Sequence, residues 1–120
     1  MKQFTIALLC FCLTACSALS SLTSGTTIKA NDQFILGDNE HGPFKAILRN
    51  DASQSLTIYT ERKGITPPQV VMLKPTQKIE LWVGANETVI IQNKGDRTAQ
   101  VYLKITGDTD LGMRYKPLSN

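Results

Sequence analysis

From Thr27 onward, apolar residues alternate with polar ones in short runs broken by Gly, Pro, Asn and Asp, and a period of two admits strands and little else. A helix would need its apolar residues every three or four positions. No run after Gly25 keeps that spacing, so no helix longer than a turn is expected there. The alternation predicts eight strands: Gln33–Leu36, Phe44–Asn50, Ser55–Glu61, Val70–Leu73, Gln77–Val83, Glu87–Gln92, Ala99–Thr106 and Leu111–Tyr115. Successive side chains of a strand point to opposite faces, so each run divides itself. Ile79, Leu81 and Val83 oppose Lys78, Glu80 and Trp82; Val101, Leu103 and Ile105 oppose Gln100, Tyr102 and Lys104; Phe44, Ala46 and Leu48 oppose Lys45, Ile47 and Arg49. The predicted core is Phe44, Leu48, Leu56, Ile58, Ile79, Leu81, Val83, Val89, Ile91, Val101, Leu103 and Ile105.

Between these runs, Asn50-Asp51-Ala52-Ser53, Gly84-Ala85-Asn86 and Asn93-Lys94-Gly95-Asp96 supply residues that tolerate tight or left-handed backbone, and such short joints predict antiparallel neighbours. Pro67-Pro68 removes two ladder donors, so residues 63–69 are expected to form an exposed loop or a crossover. Short alternating strands, each with one apolar face, predict an all-β fold: a small antiparallel β-sandwich of seven to eight strands, immunoglobulin-like, with a small barrel as the competing architecture. Residues 27–120 would form this single domain. The 42% hydrophobic content is enough for one buried core, although the N-terminal run inflates it.

The N-terminus has a different character. Met1-Lys2-Gln3 brings one positive charge, and Phe4 to Leu13 forms an apolar stretch of about ten residues, the length of a signal-peptide core. As a helix that stretch would reach about 15 Å, half of a bilayer's hydrocarbon thickness, which is too short for a permanent span. It ends in Leu13-Thr14-Ala15-Cys16-Ser17, an aliphatic residue and two small ones before a cysteine, which resembles the lipobox of bacterial lipoproteins. Small residues fit the narrow cleft of the processing peptidase, and the thiol receives diacylglycerol before cleavage exposes its amine for acylation. The resemblance covers residues 1–17. It implies a helical signal peptide over residues 1–15, cleavage before Cys16, and a membrane partner engaged through lipid on Cys16. Ser17, rather than Asp, implies sorting to the outer membrane. Residues 16–26, small and polar, are expected to be a lipidated flexible tether.

Composition removes several classes of function. Cys10, Cys12 and Cys16 all precede the domain, which rules out a disulfide framework within it. In their greasy setting they read as part of the leader rather than as a metal cluster. The formal charge of +3 falls to +2 once Lys2 is removed, and the cations are scattered among acids, so no nucleic-acid partner is expected. The sole histidine, His41, sits in Gly37-Asp38-Asn39-Glu40-His41-Gly42, where a metal or small ligand could be held by Asp38, Glu40 and His41. The same segment reads equally as a polar connection between strands, and its spacing matches neither a zinc nor a calcium site. Asp108-Thr109-Asp110 reads as a turn, and Asn86-Glu87-Thr88, which matches the N-glycosylation pattern, also serves as a turn. No nucleophile elbow or phosphate loop occurs, so no enzyme and no cofactor are expected.

The aromatic residues carry the strongest functional signal. Trp82, Tyr102 and Tyr59 fall in the phase opposite to the aliphatic core, where rings on a rigid sheet can stack on a partner. These features together predict a membrane-tethered envelope lipoprotein that acts as a binding or structural module, with an envelope protein or glycan as partner. The alternative is a small-ligand or metal-binding lipoprotein that uses residues 38–41.

Overall fold

A computed structural model of the protein describes residues 21–62 and 65–118. The expected signal peptide over residues 1–15, Cys16 itself and the first part of the expected tether lie outside the described residues. Nine strands are described: β1 (Ser21–Ile28), β2 (Asp32–Leu36), β3 (Phe44–Asn50), β4 (Leu56–Arg62), β5 (Ile65–Leu73), β6 (Lys78–Val83), β7 (Thr88–Asn93), β8 (Ala99–Gly107) and β9 (Met113–Pro117). No helix occurs among the described residues. The eight predicted strands are all present, with ends shifted by one or two residues except at β5, which begins five residues earlier.

The ninth strand, β1, overturns part of the tether expectation. Residues 21–26, assigned to the tether, belong to a strand that pairs with β8 along its whole length, from Ser21 opposite Thr106 to Ile28 opposite Ala99. Nothing in Ser-Leu-Thr-Ser-Gly-Thr demands a strand. The pairing partner supplies the stability, and Leu22, Thr26 and Ile28 turn inward. A second correction concerns Pro67-Pro68, which lie within β5 rather than in a loop. β5 has β4 on one side only, and an edge strand tolerates residues that cannot donate to a ladder.

The strands form two antiparallel sheets, in the orders β1-β8-β3-β6 and β5-β4-β7-β2-β9. Every connection except β4 to β5 passes from one sheet to the other. This is the strand order of a double-Greek-key jelly roll, extended by β9 beside β2. The immunoglobulin-like expectation is therefore corrected, because that sandwich keeps its first two strands in one sheet, whereas here β1 and β2 face each other. Short loops misled the sequence reading for a simple metric reason. Four or five extended residues reach roughly 13–16 Å, more than the roughly 10 Å between packed sheets. Loops 51–55, 84–87 and 94–98 therefore arch between sheets where hairpins were expected.

The inner faces interdigitate into one core. Every predicted core residue is buried except Ile79 and Leu81, which are half-buried because β6 is an edge strand flanked only by β3. Ile28, Phe34, Leu36, Ala46, Leu73 and Ala99 complete the core. Two asparagines, Asn50 and Asn93, are fully buried at one end of the sandwich. No buried side-chain nitrogen or oxygen among the described residues lacks a hydrogen-bond partner.

Candidate contact surface

The outer face of the four-stranded sheet is set by its register. One row across the sheet runs Ser21, Thr106, Lys45, Trp82; the next runs Thr23, Lys104, Ile47, Glu80; the third runs Gly25, Tyr102, Arg49, Lys78. Trp82 lies on the edge strand β6 in the phase the sequence assigned to it, and 78% of its surface is exposed. The described residues leave this indole largely uncovered. Lys45, directly opposite on β3, holds its ammonium 5.4 Å from the ring centroid, and the same ammonium is 3.8 Å from a Glu80 carboxylate oxygen. Beside the indole is a shallow hollow of about 680 Å³ lined mainly by apolar atoms, with Pro43, Phe44, Val83, Gly84, Thr106 and Gly107 around it. Gly107 is needed there. Its φ of +113° is a backbone conformation that favours glycine, and a Cβ would lie 3.0 Å from the Pro43 carbonyl oxygen.

Tyr102 shares this face without joining Trp82. Two strand spacings and four residues along β3 separate their rows, which puts them about 16 Å apart. The Tyr102 ring instead supports Arg49, whose guanidinium carbon lies 4.5 Å from its centroid. Arg49 donates to both carboxylate oxygens of Asp51, at 2.7 and 3.1 Å. That pair holds Asp51 below the usual aspartate range and raises Arg49 above its ordinary value, through the hydrogen bond first and charge attraction second. Tyr59 is on the other sheet, half-buried on the outer face between Val70 and Ile90. Burial, followed by the nearby Glu61 carboxylate, raises its phenol pKa. Tyr102 is thus set apart from the other two rings named from sequence, whereas Tyr59 and Trp82, although on different sheets, both line a hollow of about 300 Å³ with Ile58, Glu80 and Leu81.

Sequence spacing did not reveal the grouping of cations. Lys45, Arg49, Lys78 and Lys104 look scattered along the chain, yet the register gathers all four on the outer face that carries Trp82, where Glu80 and the Asp51 paired with Arg49 oppose them. Their shared phase, opposite to the aliphatic set, was the available signal.

His41 is placed in the fold as a structural residue. The ring is buried and packs edge-on to Phe44 with centroids 5.2 Å apart. Nδ1 lies 2.7 Å from the Gly42 carbonyl oxygen, and Nε2 lies 2.7 Å from that of Glu87 and 3.1 Å from that of Gly37. With both nitrogens against carbonyls, the imidazole turns no lone pair toward a metal, and no metal-ligating cluster occurs among the described residues. Asp38 is engaged elsewhere, accepting from Arg114.

Asp108 ties the loop after β8 to the loop before β3. Its carboxylate accepts from the Gly42 N–H at 2.7 Å and from the Asp110 N–H at 2.9 Å, and these two bonds hold its pKa below the ordinary value. A carboxylate depressed in the folded state contributes stability above the unfolded aspartate pKa of about 3.9 and loses it as pH falls through the lower folded value. Acid should therefore loosen this end of the molecule. Thermal melts from pH 6 to pH 2 should show Asp108→Asn with a shallower acid limb than the parent, and superimposable limbs would remove Asp108 from the account.

These features define a jelly-roll module that leaves the Trp82 indole exposed on the outer face of its four-stranded sheet. No protein-family model and no curated protein matches the sequence. Among solved structures the chain is similar to CENP-C of Drosophila melanogaster bound to CAL1, with 19% identity over 71% of this chain and 63% of that one and a TM-score of 0.52. It is also similar to BH2720 of Bacillus halodurans, with 11% identity over 72% of this chain and 61% of that one and a TM-score of 0.50. A third similar structure comes from Bacillus endospore appendages, described as disulfide-linked pili, with 16% identity over 73% of this chain and 84% of that one and a TM-score of 0.52. The chain spans about three-fifths of the length of the first two. At these identities the likeness is one of fold.

Proposed function

We propose that this chain is a lipid-anchored, non-enzymatic contact module of the bacterial cell envelope. Cys16 carries the anchor at the outer membrane, and the jelly roll presents Trp82 to another envelope component. The observation that carries the contact role is the large exposed indole beside an apolar hollow. A ring left this wet forgoes the burial of an aromatic side chain, and such rings supply binding energy where a partner covers them. The anchoring role is supported by the ordered leader features that end in Leu13-Thr14-Ala15-Cys16. The non-enzymatic reading is supported by His41, the chain's one imidazole, whose ring nitrogens both face backbone carbonyls.

Two variants separate these roles. Cys16→Ser should move the protein from the membrane to the soluble fraction. Trp82→Ala should change the unfolding free energy by no more than about 0.5 kcal/mol, as expected for an exposed site, while weakening retention of whatever covers the ring. Equal membrane retention of Cys16→Ser would refute the anchor, and a Trp82→Ala variant that unfolds easily yet binds as before would assign the indole to the fold.

A further inference from the structure

We infer that the surface covering Trp82 is the membrane itself: the outer face of the four-stranded sheet lies against the anionic headgroups of the leaflet that holds the Cys16 lipid. The inference rests on the anchoring reading above and adds to it an orientation and an occupant.

Chain length restricts where the domain can stand. Four residues, 17–20, separate Cys16 from Ser21, where β1 begins, so the anchor lies within about 17 Å of Ser21 even with the chain fully extended. Ser21 stands in the same cross-strand row as Thr106, Lys45 and Trp82. Three strand spacings, about 14 Å, separate it from Trp82. A short tether that leaves the edge of this face keeps the whole row within reach of the headgroups.

Charge then selects the face over the tip. The loops at the Ser21 end of the sandwich carry Asp38, Glu40, Glu87, Asp108 and Asp110; Arg114 pairs with Asp38 and Arg62 with Glu87, and an end-on approach would still press the remaining acids against an anionic surface. The outer face of the same sheet presents Lys45, Arg49, Lys78 and Lys104 against Glu80 and the Asp51 carboxylate that Arg49 binds, which leaves the cations in excess. Basic residues near an anionic leaflet are each worth about 1 kcal/mol, or a fivefold change in population. An indole with a lysine at its side suits the boundary layer, where the ring meets apolar carbon and the ammonium meets phosphate.

Trp82 is the only tryptophan in the sequence, so its emission reports this one site. The mature lipid-bearing protein would be reconstituted into vesicles of phosphatidylcholine with phosphatidylglycerol, into phosphatidylcholine alone, and into either with brominated acyl chains. With anionic lipid, the emission should shift to the blue and be quenched by bromine. Lys45→Gln and Lys104→Gln should each lower the docked-to-free ratio about fivefold. Emission typical of a water-exposed indole in anionic vesicles would overturn the inference, and so would a blue shift without bromine quenching, which means that a second copy of the chain covers the ring. Flotation and intact mass, measured on the same samples, keep the two readings apart. A lipid-modified, floating protein with a wet indole refutes the docking alone, whereas a protein without lipid on Cys16 refutes the anchor and the docking together.

Discussion

Replacing Asn93 by alanine should lower the unfolding free energy by about 2–4 kcal/mol, a large effect for the loss of one short polar side chain. Asn93 ends β7 with its side chain fully buried, and its amide group organises several segments. Nδ2 donates to the carbonyl oxygens of Ile28 at 2.9 Å, Lys29 at 3.2 Å and Arg97 at 2.8 Å. Oδ1 accepts from the Gln54 amide at 2.6 Å and from the Gly95 N–H at 3.1 Å. Gln54 in turn offers its backbone carbonyl to Asn50 Nδ2 at 2.8 Å, and Asn50 Nδ2 also reaches the Leu73 carbonyl at 2.9 Å. One network thus closes the end of the sandwich where β1, β3, β5 and β7 finish. Alanine would strand carbonyls that water reaches poorly, and each stranded group carries its own desolvation cost of about 1–3 kcal/mol. Urea unfolding of Asn93→Ala beside the parent gives the number directly. A loss below about 1 kcal/mol would mean that water or another side chain satisfies these groups.

Leu103→Ala should be as damaging, at about 2–5 kcal/mol. Leu103 sits in the middle of β8, 1% exposed, with β1 on one side and β3 on the other, opposite Ser24 and Leu48. No neighbouring strand can move in to fill the cavity without breaking two ladders, so little relaxation is available. Leu81→Ala is the informative comparison. It lies in the same inward phase but on the edge strand β6, half-buried, so it should cost less, on the order of 1–2 kcal/mol. Equal costs at the two positions would mean that the open side of the sandwich beside β6 is packed more tightly than the structure has it.

Much of this fold was legible in the spacing of residues. Phase alone put Leu103, Val101 and Ile105 inside and Trp82 outside, because one strand's alternation decides both sides at once. It did not decide which strands pair. The five residues between β3 and β4 fit a hairpin or an arch equally well, and the choice belongs to sheet-to-sheet packing. β1 was hidden for a related reason: Ser, Thr and Gly gave no alternating signal, and the strand exists because β8 has a free edge to offer. At the contact surface, exposure of Trp82 followed from phase, but its separation from Tyr102 followed from the topology and register. The four cations of the outer face became one group only through the register.

The central claim is that this jelly roll works at a membrane surface to which Cys16 binds it. Intact mass and N-terminal peptide spectra of the native protein, extracted from bacterial membranes with mild detergent, test that claim most directly. The account predicts a chain that begins at Cys16 and carries diacylglycerol on the thiol, with an acyl group on the amine. A chain that begins elsewhere, or an unmodified Cys16 thiol, would contradict it.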